Sequence, residues 1–322
     1  MTLERGFLEI DTESELQKIG SFVRENLQNM KRDKAVVGMS GGIDSSVVAS
    51  ICVSSLGNEN VQAIILPEKE SNPDSKKFAI KHAERLCIDY EVKDITPVLE
   101  TIGTYKDRDE VIRESCENYD PLEDRIKITL PENLLSSDAL NFFTLTITRD
   151  GEEIFNKRLK KKQLQRIIAS TDTKQRTRMM FIYYLSERIN GMVCGTTNRV
   201  ETKQGFFVKY GDGGVDVEPI AHLYKCQVYQ MGEALDVPRE IISREPSPDT
   251  FNSHVGDEEF FFRMSYDMVD KLMYCWENNV DIETVCESLN LDEVQVMRAY
   301  RDFRSKFNAT KHLRELPPSL LV

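Results

Sequence analysis

The chain has 322 residues, is 40% hydrophobic and carries a formal net charge of -12. That length and apolar content allow one sizeable core, while the acidity excludes a general nucleic-acid surface, which needs a basic stripe. No run of about 18 consecutive apolar residues occurs, and the first ten residues lack a basic start before an apolar core, so no membrane contact is expected and the chain reads as soluble and cytoplasmic.

Asp11 or Thr12 is placed to cap a helix with Leu16, Ile19, Phe22, Val23 and Leu27 on one face. "KAVVGMS" then has the short, apolar look of a buried parallel strand, and "SSVVASICVSSLG" has helical length and a closing Gly57. "VQAIILP", "DSKKFAIKHAERLCI" and "YEVKDI" continue as strand, helix and strand, a rhythm that predicts a doubly wound α/β sheet. Between about Thr101 and Ser170 the rhythm breaks. "NFFTLTITRDGEEIFNKRL" alternates on both sides of an Asp-Gly turn and predicts a β-hairpin, taken as part of an insertion that serves as a lid or a subunit contact. The basic run Lys160 to Lys162 reads as a solvated helix face. Helical patterning returns at Thr177, followed by the strand "GMVCGT", a loop rich in glycine and charge, and a helix over about Tyr224–Leu235. From about residue 250 the chain is mostly helical; "IETVCESLNLDEVQVMRAY" has a helix-turn-helix pattern, but the acidic charge argues against DNA. The seven cysteines form no Cys-x-x-Cys pair and read as reduced core thiols.

The chemistry concentrates first in "SGGIDSS". Gly41 and Gly42, at the end of a buried strand, let backbone approach a ligand, and the following helix points free N-H groups at it. Ser40, Ser45 and Ser46 add hydroxyls, making an anion cradle at the carboxyl end of a strand. No Gly-Lys-Ser/Thr follows, so it is not a Walker loop. Asp44 stands where that motif has lysine, and its use there is to hold Mg2+.

"SGGIDSS" resembles the pyrophosphate loop of the N-type ATP pyrophosphatases, which share an adenine-nucleotide α-hydrolase fold and adenylylate a substrate oxygen. By itself the motif fits NAD, GMP, asparagine and argininosuccinate synthetases and the tRNA thiolases. "KQRTRMM", "GTTNRVETKQGFFVKYGDGGVDVEP", "LYKCQVYQMGEAL" and "REPSPD" resemble, in order and spacing, the ammonia-dependent NAD synthetases. This resemblance covers the first hundred residues and Thr171 to the end. It implies one ATP pyrophosphatase domain over 1–322, with an insertion at 101–170 and a helical part at 250–322.

The resemblance also implies roles. Asp44 and Glu201 would hold Mg2+; Ser40, Gly41, Gly42, Ile43, Ser45, Ser46, Thr196, Lys225 and Ser247 would contact ATP, with Asp44 and Lys225 acting in catalysis. Arg176, Lys209, Asp216 and His312 would bind the dinucleotide acid, and Asp212 would hold ammonium or take its proton. The implied reaction joins nicotinic acid adenine dinucleotide, ATP and ammonia into NAD, AMP and pyrophosphate in a homodimer. The chain opens directly on the α/β unit, so ammonia is expected free or from a separate glutaminase. Three departures stand out: Asp172 replaces the family's asparagine, Leu313 follows His312 where the family has lysine, leaving Lys311 as the substitute, and the long insertion with its hairpin is absent from the family's short members. They keep open a second reading, amidation of another carboxylate such as a sugar acid. A thiolase lacks its cysteine pair here, and a catalytically silent nucleotide-binding subunit need not keep Asp44, Glu201 and Lys225.

Overall fold

The computed structural model describes residues 6–130, 133–136, 142–247, 251–253 and 255–320. Pro248 and Asp249, the end of the "REPSPD" block, lie outside them, as do Asn141, Thr250 and His254. The first half runs α1 (Thr12–Asn29), β1 (Lys34–Gly38), α2 (Ile43–Leu56), β2 (Val61–Ile65), α3 (Pro73–Arg85), β3 (Asp89–Val92), α4 (Thr96–Ile102) and α5 (Thr104–Arg113). Then come β4 (Arg125–Thr129), β5 (Thr144–Arg149), β6 (Glu152–Arg158), α6 (Lys161–Arg188), β7 (Gly191–Cys194) and α7 (Arg199–Gln204). The chain closes with α8 (Lys225–Ala234), α9 (Arg239–Ile242), α10 (Tyr266–Glu277), α11 (Ile282–Leu289), α12 (Glu293–Ala309) and α13 (Lys311–Arg314).

Four strands form a parallel sheet in the order β3-β2-β1-β7. Alternate residues of β1, β2 and β7 enter different cores, which is why these strands are mostly apolar rather than alternating, whereas the edge strand β3 carries Asp89 and Glu91 and has no buried residue. Ala35, Val37, Ala63 and Ile65 pack with α1, α2 and α8 on one face, while Val36, Ile64 and Val193 pack with α4, α5 and α6 on the other. This is the doubly wound sheet expected, with Asp11 capping α1 by accepting from the N-H groups of Glu13 and Ser14.

The hairpin lies where the sequence put it, its turn at Asp150 and Gly151 with φ of 52° and 85°, the left-handed pair such a tight turn needs. The sequence reading missed β4, which pairs antiparallel with β5 to complete a three-stranded sheet over Ile126, Ile128, Leu145 and Ile147. It also put the return of helix too late. α6 begins at Lys161, with the basic run exposed at its start, so the last ten residues of the expected insertion belong to a core helix. The polar run Ser170-Thr171-Asp172-Thr173 reads as a break because hydroxyls compete for backbone. Here they are absorbed: Ser170 Oγ donates to Thr104 O on α5 (2.6 Å) and Thr173 Oγ1 to Ala169 O (2.7 Å). A further core, built on α10 to α12 with Leu8 and Val200, ties the C-terminal helices to α7 and α8.

Candidate active site

At the end of β1 the chain turns through Ser40–Gly42 into α2. Gly41 has φ of 79°, and a Cβ there would lie 2.2 Å from the main-chain oxygen of Ser75 on α3, so only glycine fits. The hydroxyls first hold the loop itself: Ser45 Oγ accepts from Ser40 N (3.2 Å), Ser40 Oγ from Gly42 N (3.2 Å), and Ser46 Oγ donates to Gly42 O (2.9 Å). Gly42 caps α2 without a side chain, leaving the helix's first N-H groups directed outward from the turn. The turn is thus held in shape by its own hydroxyls, and Asp44 is not its cap.

Asp44 instead meets residues delivered by the neighbouring strand. Beyond β7, Asn198 caps α7 by accepting from Glu201 N (3.2 Å), and the Glu201 carboxylate accepts from Asn198 N (3.1 Å). The same Asn198 donates through Nδ2 to Asp44 Oδ1 (3.1 Å). Lys225, the first residue of α8 and 2% exposed, donates to Asp44 Oδ2 (2.5 Å) and lies 4.0 Å from Glu201 Oε1. Burial opposes its charge, but Asp44, Glu201 and Asp257 outweigh burial and hold Lys225 a cation. Burial, and next the charge of Asp44, push the Glu201 carboxyl well above the usual range, with Lys225 pulling the other way. Asp270 on α10 fixes the start of α8 by accepting from Lys225 N (3.2 Å) and Cys226 N (2.7 Å). Arg199 is structural, clamped on Glu277 by two hydrogen bonds at 2.7 and 3.1 Å.

These groups open on a cleft of about 660 Å³ that also takes in Thr196, Asp212 and Ser247. Asp212 accepts from Val208 N (2.9 Å), and burial pushes its carboxyl up to about 6. Arg178, which donates to Leu66 O (3.2 Å), and Gln175 add polar groups to the same wall.

The four residues expected on the dinucleotide acid lie elsewhere. Arg176 borders a shallow depression with Met180, Tyr183 and Tyr210, donates to Lys209 O (3.2 Å) and pairs with Asp172 (3.6 Å). Lys209 Nζ in turn donates to the main-chain oxygen of His312 (2.7 Å), on the exposed α13, while Lys311 pairs with Glu315. Asp216 braces the sheet, accepting from Val193 N (2.8 Å) and Tyr183 OH (3.0 Å). Arg176, Lys209 and His312 are therefore linked to one another outside the cleft lining, which they meet through the pairing of Arg176 with Asp172, and Asp216 is turned to the end of β7.

Sequence reasoning missed Asn198 and Asp257. The first carries a signal, an asparagine three residues before a glutamate, the capping-box pattern. Asp257 carries none, yet it is buried, faces the cleft and has its carboxyl pushed by burial up to about 6.

A family model described as NAD synthase matches residues 15–126 and 132–317. The NH(3)-dependent NAD(+) synthetase of Rhizobium meliloti (strain 1021) is 38% identical over 315 residues, 98% of this chain and 93% of that protein. The enzyme of that name from Thermotoga maritima is 36% identical over 262 residues, covering 81% and 86% of the two chains. The Rhizobium alignment is long enough to include most of the 101–170 segment, which is thus no addition private to this chain. Among solved structures, an NMN synthetase from Francisella tularensis superposes with a TM-score of 0.67 at 21% identity, over 98% of this chain and 100% of the other. An NH3-dependent NAD synthetase from Campylobacter jejuni gives 0.63 at 20% identity, over 97% and 100%. At those identities the superpositions establish the fold.

Proposed function

The chain belongs to the NAD synthase family, and from that premise we propose how its cleft amidates nicotinic acid adenine dinucleotide with ammonia in an ATP-dependent ligase reaction. The observation that carries the proposal is the convergence of Asp44, Glu201, Asn198 and the buried Lys225 at the mouth of the glycine turn.

Asp44 and Glu201 are hard oxygen donors close enough to act on one ammonium. Among the described residues no cluster of three or more His, Cys, Asp or Glu is set to hold a metal alone. Mg2+ does not require one, since it takes one or two carboxylates and completes its shell with phosphate oxygens and water. The pair fits that ion, which when bound would neutralise phosphate charge. The chain's own groups do the rest. The turn and the start of α2 seat the β- and γ-phosphates, and Lys225 faces the charge that builds as the acid's carboxylate oxygen attacks the α-phosphorus. The bond to the β-phosphate oxygen breaks and pyrophosphate leaves onto the seat that already held it. Ammonia then attacks the acyl carbon and AMP departs with the carboxylate oxygen. Asp212, held near neutrality by burial, takes the proton that the incoming nitrogen loses.

Incubating the chain with ATP, Mg2+, ammonium and a panel of acids is expected to yield NAD, AMP and pyrophosphate in equal amounts with nicotinic acid adenine dinucleotide. Faster AMP release with a sugar acid would overturn the choice of acceptor. Gly41→Ala is expected to lower kcat/KM at least about 100-fold, because backbone must shift where the phosphates sit. A value within tenfold of wild type would remove the turn from the mechanism.

The outer face of α6 supports a homodimer. Met180 and Tyr184 are 55% and 59% exposed, and Tyr210 beside Arg176 is 62% exposed, an apolar stripe next to the residues assigned to the acid. Met180→Glu with Tyr184→Glu is expected to give monomers in sedimentation at micromolar concentration. A monomeric wild type would sink this assignment. No helix among the described residues is long and apolar enough to cross a membrane. The cytoplasm, with free ammonia or a separate glutaminase as the nitrogen source, is the setting we propose.

A further inference from the structure

We propose that Asp257 is a positioning residue for Lys225, the anion to which this ammonium turns when a divalent cation takes the carboxylates of Asp44 and Glu201. The inference rests on the reading of the cleft as a Mg2+-ATP site and concerns what the chain must do to admit the ion.

Lys225 now uses the oxygens the ion needs. Its Nζ sits 2.5 Å from Asp44 Oδ2 and 4.0 Å from Glu201 Oε1. A divalent cation and an ammonium repel, so both cannot keep those partners. A buried ammonium cannot simply be released either, because an unpaired charge in that setting is strongly unfavourable.

Asp257 is built for the exchange. It is 5% exposed and faces the same cleft. Its main-chain N-H donates to Pro246 O (3.1 Å), and its Oδ2 accepts from Tyr266 OH (2.7 Å). Its Oδ1 is buried and has no hydrogen-bond partner among the described residues, a rarity in a folded protein. The Tyr266 ring joins the two, lying 5.2 Å from Lys225 Nζ while its hydroxyl orients Asp257. Asp44, Glu201 and Asp257 all act on Lys225 by charge, so Asp257 already bears on the ammonium. Arg244, Glu245 and Ser247 face the same end of the cleft, but Arg244 is turned to Ser75 Oγ (2.8 Å).

The test is calorimetric titration of MgCl2 into protein with ATP, reading binding rather than turnover. Asp257→Asn keeps the size of the side chain and an acceptor for Tyr266 but removes the charge. The Mg2+ concentration for half-saturation is expected to rise at least about tenfold, because Lys225 then stays on Asp44 and competes with the ion. Asp257→Glu is expected to restore it, and in a Lys225→Met background Asp257→Asn is expected to change it less than about twofold, as coupling through the lysine requires. A shift of under twofold in Asp257→Asn alone, or one that persists without Lys225, overturns the proposal. Should Asp257→Asn not fold, a wild-type crystal structure with Mg2+ and a non-hydrolysable ATP analogue decides. Lys225 Nζ on Asp257 Oδ1 supports the exchange, and Lys225 still on Asp44 refutes it. Wild type that binds ATP with no Mg2+ dependence overturns the reading of the cleft itself.

Discussion

Lys225→Met is expected to lower kcat about a thousandfold while leaving the fold in place, the scale seen when one preorganised donor to a developing charge is removed. The ammonium is buried, its backbone is fixed at the start of α8 and its carboxylate neighbours keep it charged, so once the ion is bound no further reorganisation is needed when charge builds on the phosphates. Methionine matches the length of the aliphatic stem and leaves the Asp270 cap on α8 intact, since that cap uses backbone N-H groups. The loss should therefore fall on adenylylation. Single-turnover measurement of pyrophosphate release separates this step from the attack of ammonia. A variant within tenfold of wild type would show that the ion and the turn suffice without the lysine.

Lys174→Met is expected to cost stability rather than chemistry, about 3–5 kcal/mol, the range for breaking a buried ion pair from one side. Lys174 is 1% exposed and donates to Glu68 Oε1 (2.9 Å) and Glu70 Oε2 (2.8 Å), and Glu70 also accepts from Arg108 at 2.5 Å. Removing the lysine leaves Glu68 with Tyr105 OH (2.6 Å) and Glu70 N (2.9 Å), and Glu70 with Arg108, in a buried site. In thermal unfolding this should lower the midpoint by roughly 5–10 °C for a chain of this size. The pH dependence follows from Glu70. Burial alone would raise its carboxyl, but Arg108 and Lys174 outweigh burial and bring it from 4.5 to about 2. A folded value below the unfolded one means stability that is present above 4.5 and is lost as pH falls towards about 2. Without Lys174 the acid transition should move to higher pH. A variant with unchanged melting and acid profiles would show that the cluster contributes nothing net.

The same cluster marks what the sequence could not display. The parallel sheet was legible because the strands β1, β2 and β7, buried on both faces, are mostly apolar runs, and the glycine turn because its residue types leave few other uses. Lys174, in contrast, sits in a basic run with Arg176 and Arg178 that looks uniform in the sequence. On α6 the three diverge: Lys174 enters the core, Arg178 faces the cleft wall, and Arg176 turns to the outer depression. The partners on other elements lie 104 to 112 residues away for Lys174 and Arg178, and 33 away, at Lys209, for Arg176, so no local pattern reports them. Asp212 and Asp216 are four apart in one loop, yet the first faces the cleft and the second ties the loop to β7, a difference set by where Val193 N happens to need an acceptor. Asn198 was readable as a cap, but its bond to Asp44 was not, since that depends on which strand lies beside β1.

That strand order has a consequence for how the protein comes to exist. β1 pairs with β2 from Ala35 and Val61 onward, a short closure, but its other edge waits for β7, where Lys34 meets Gly191. Asp44 follows β1, whereas Glu201 and Lys225 follow β7. A chain still emerging from the ribosome through α6 holds the glycine turn without its cation, and ordering so distant a pairing is slow. The cleft is the last part of the sheet's carboxyl edge to be assembled, and phosphate binding there should report completed folding rather than accompany it.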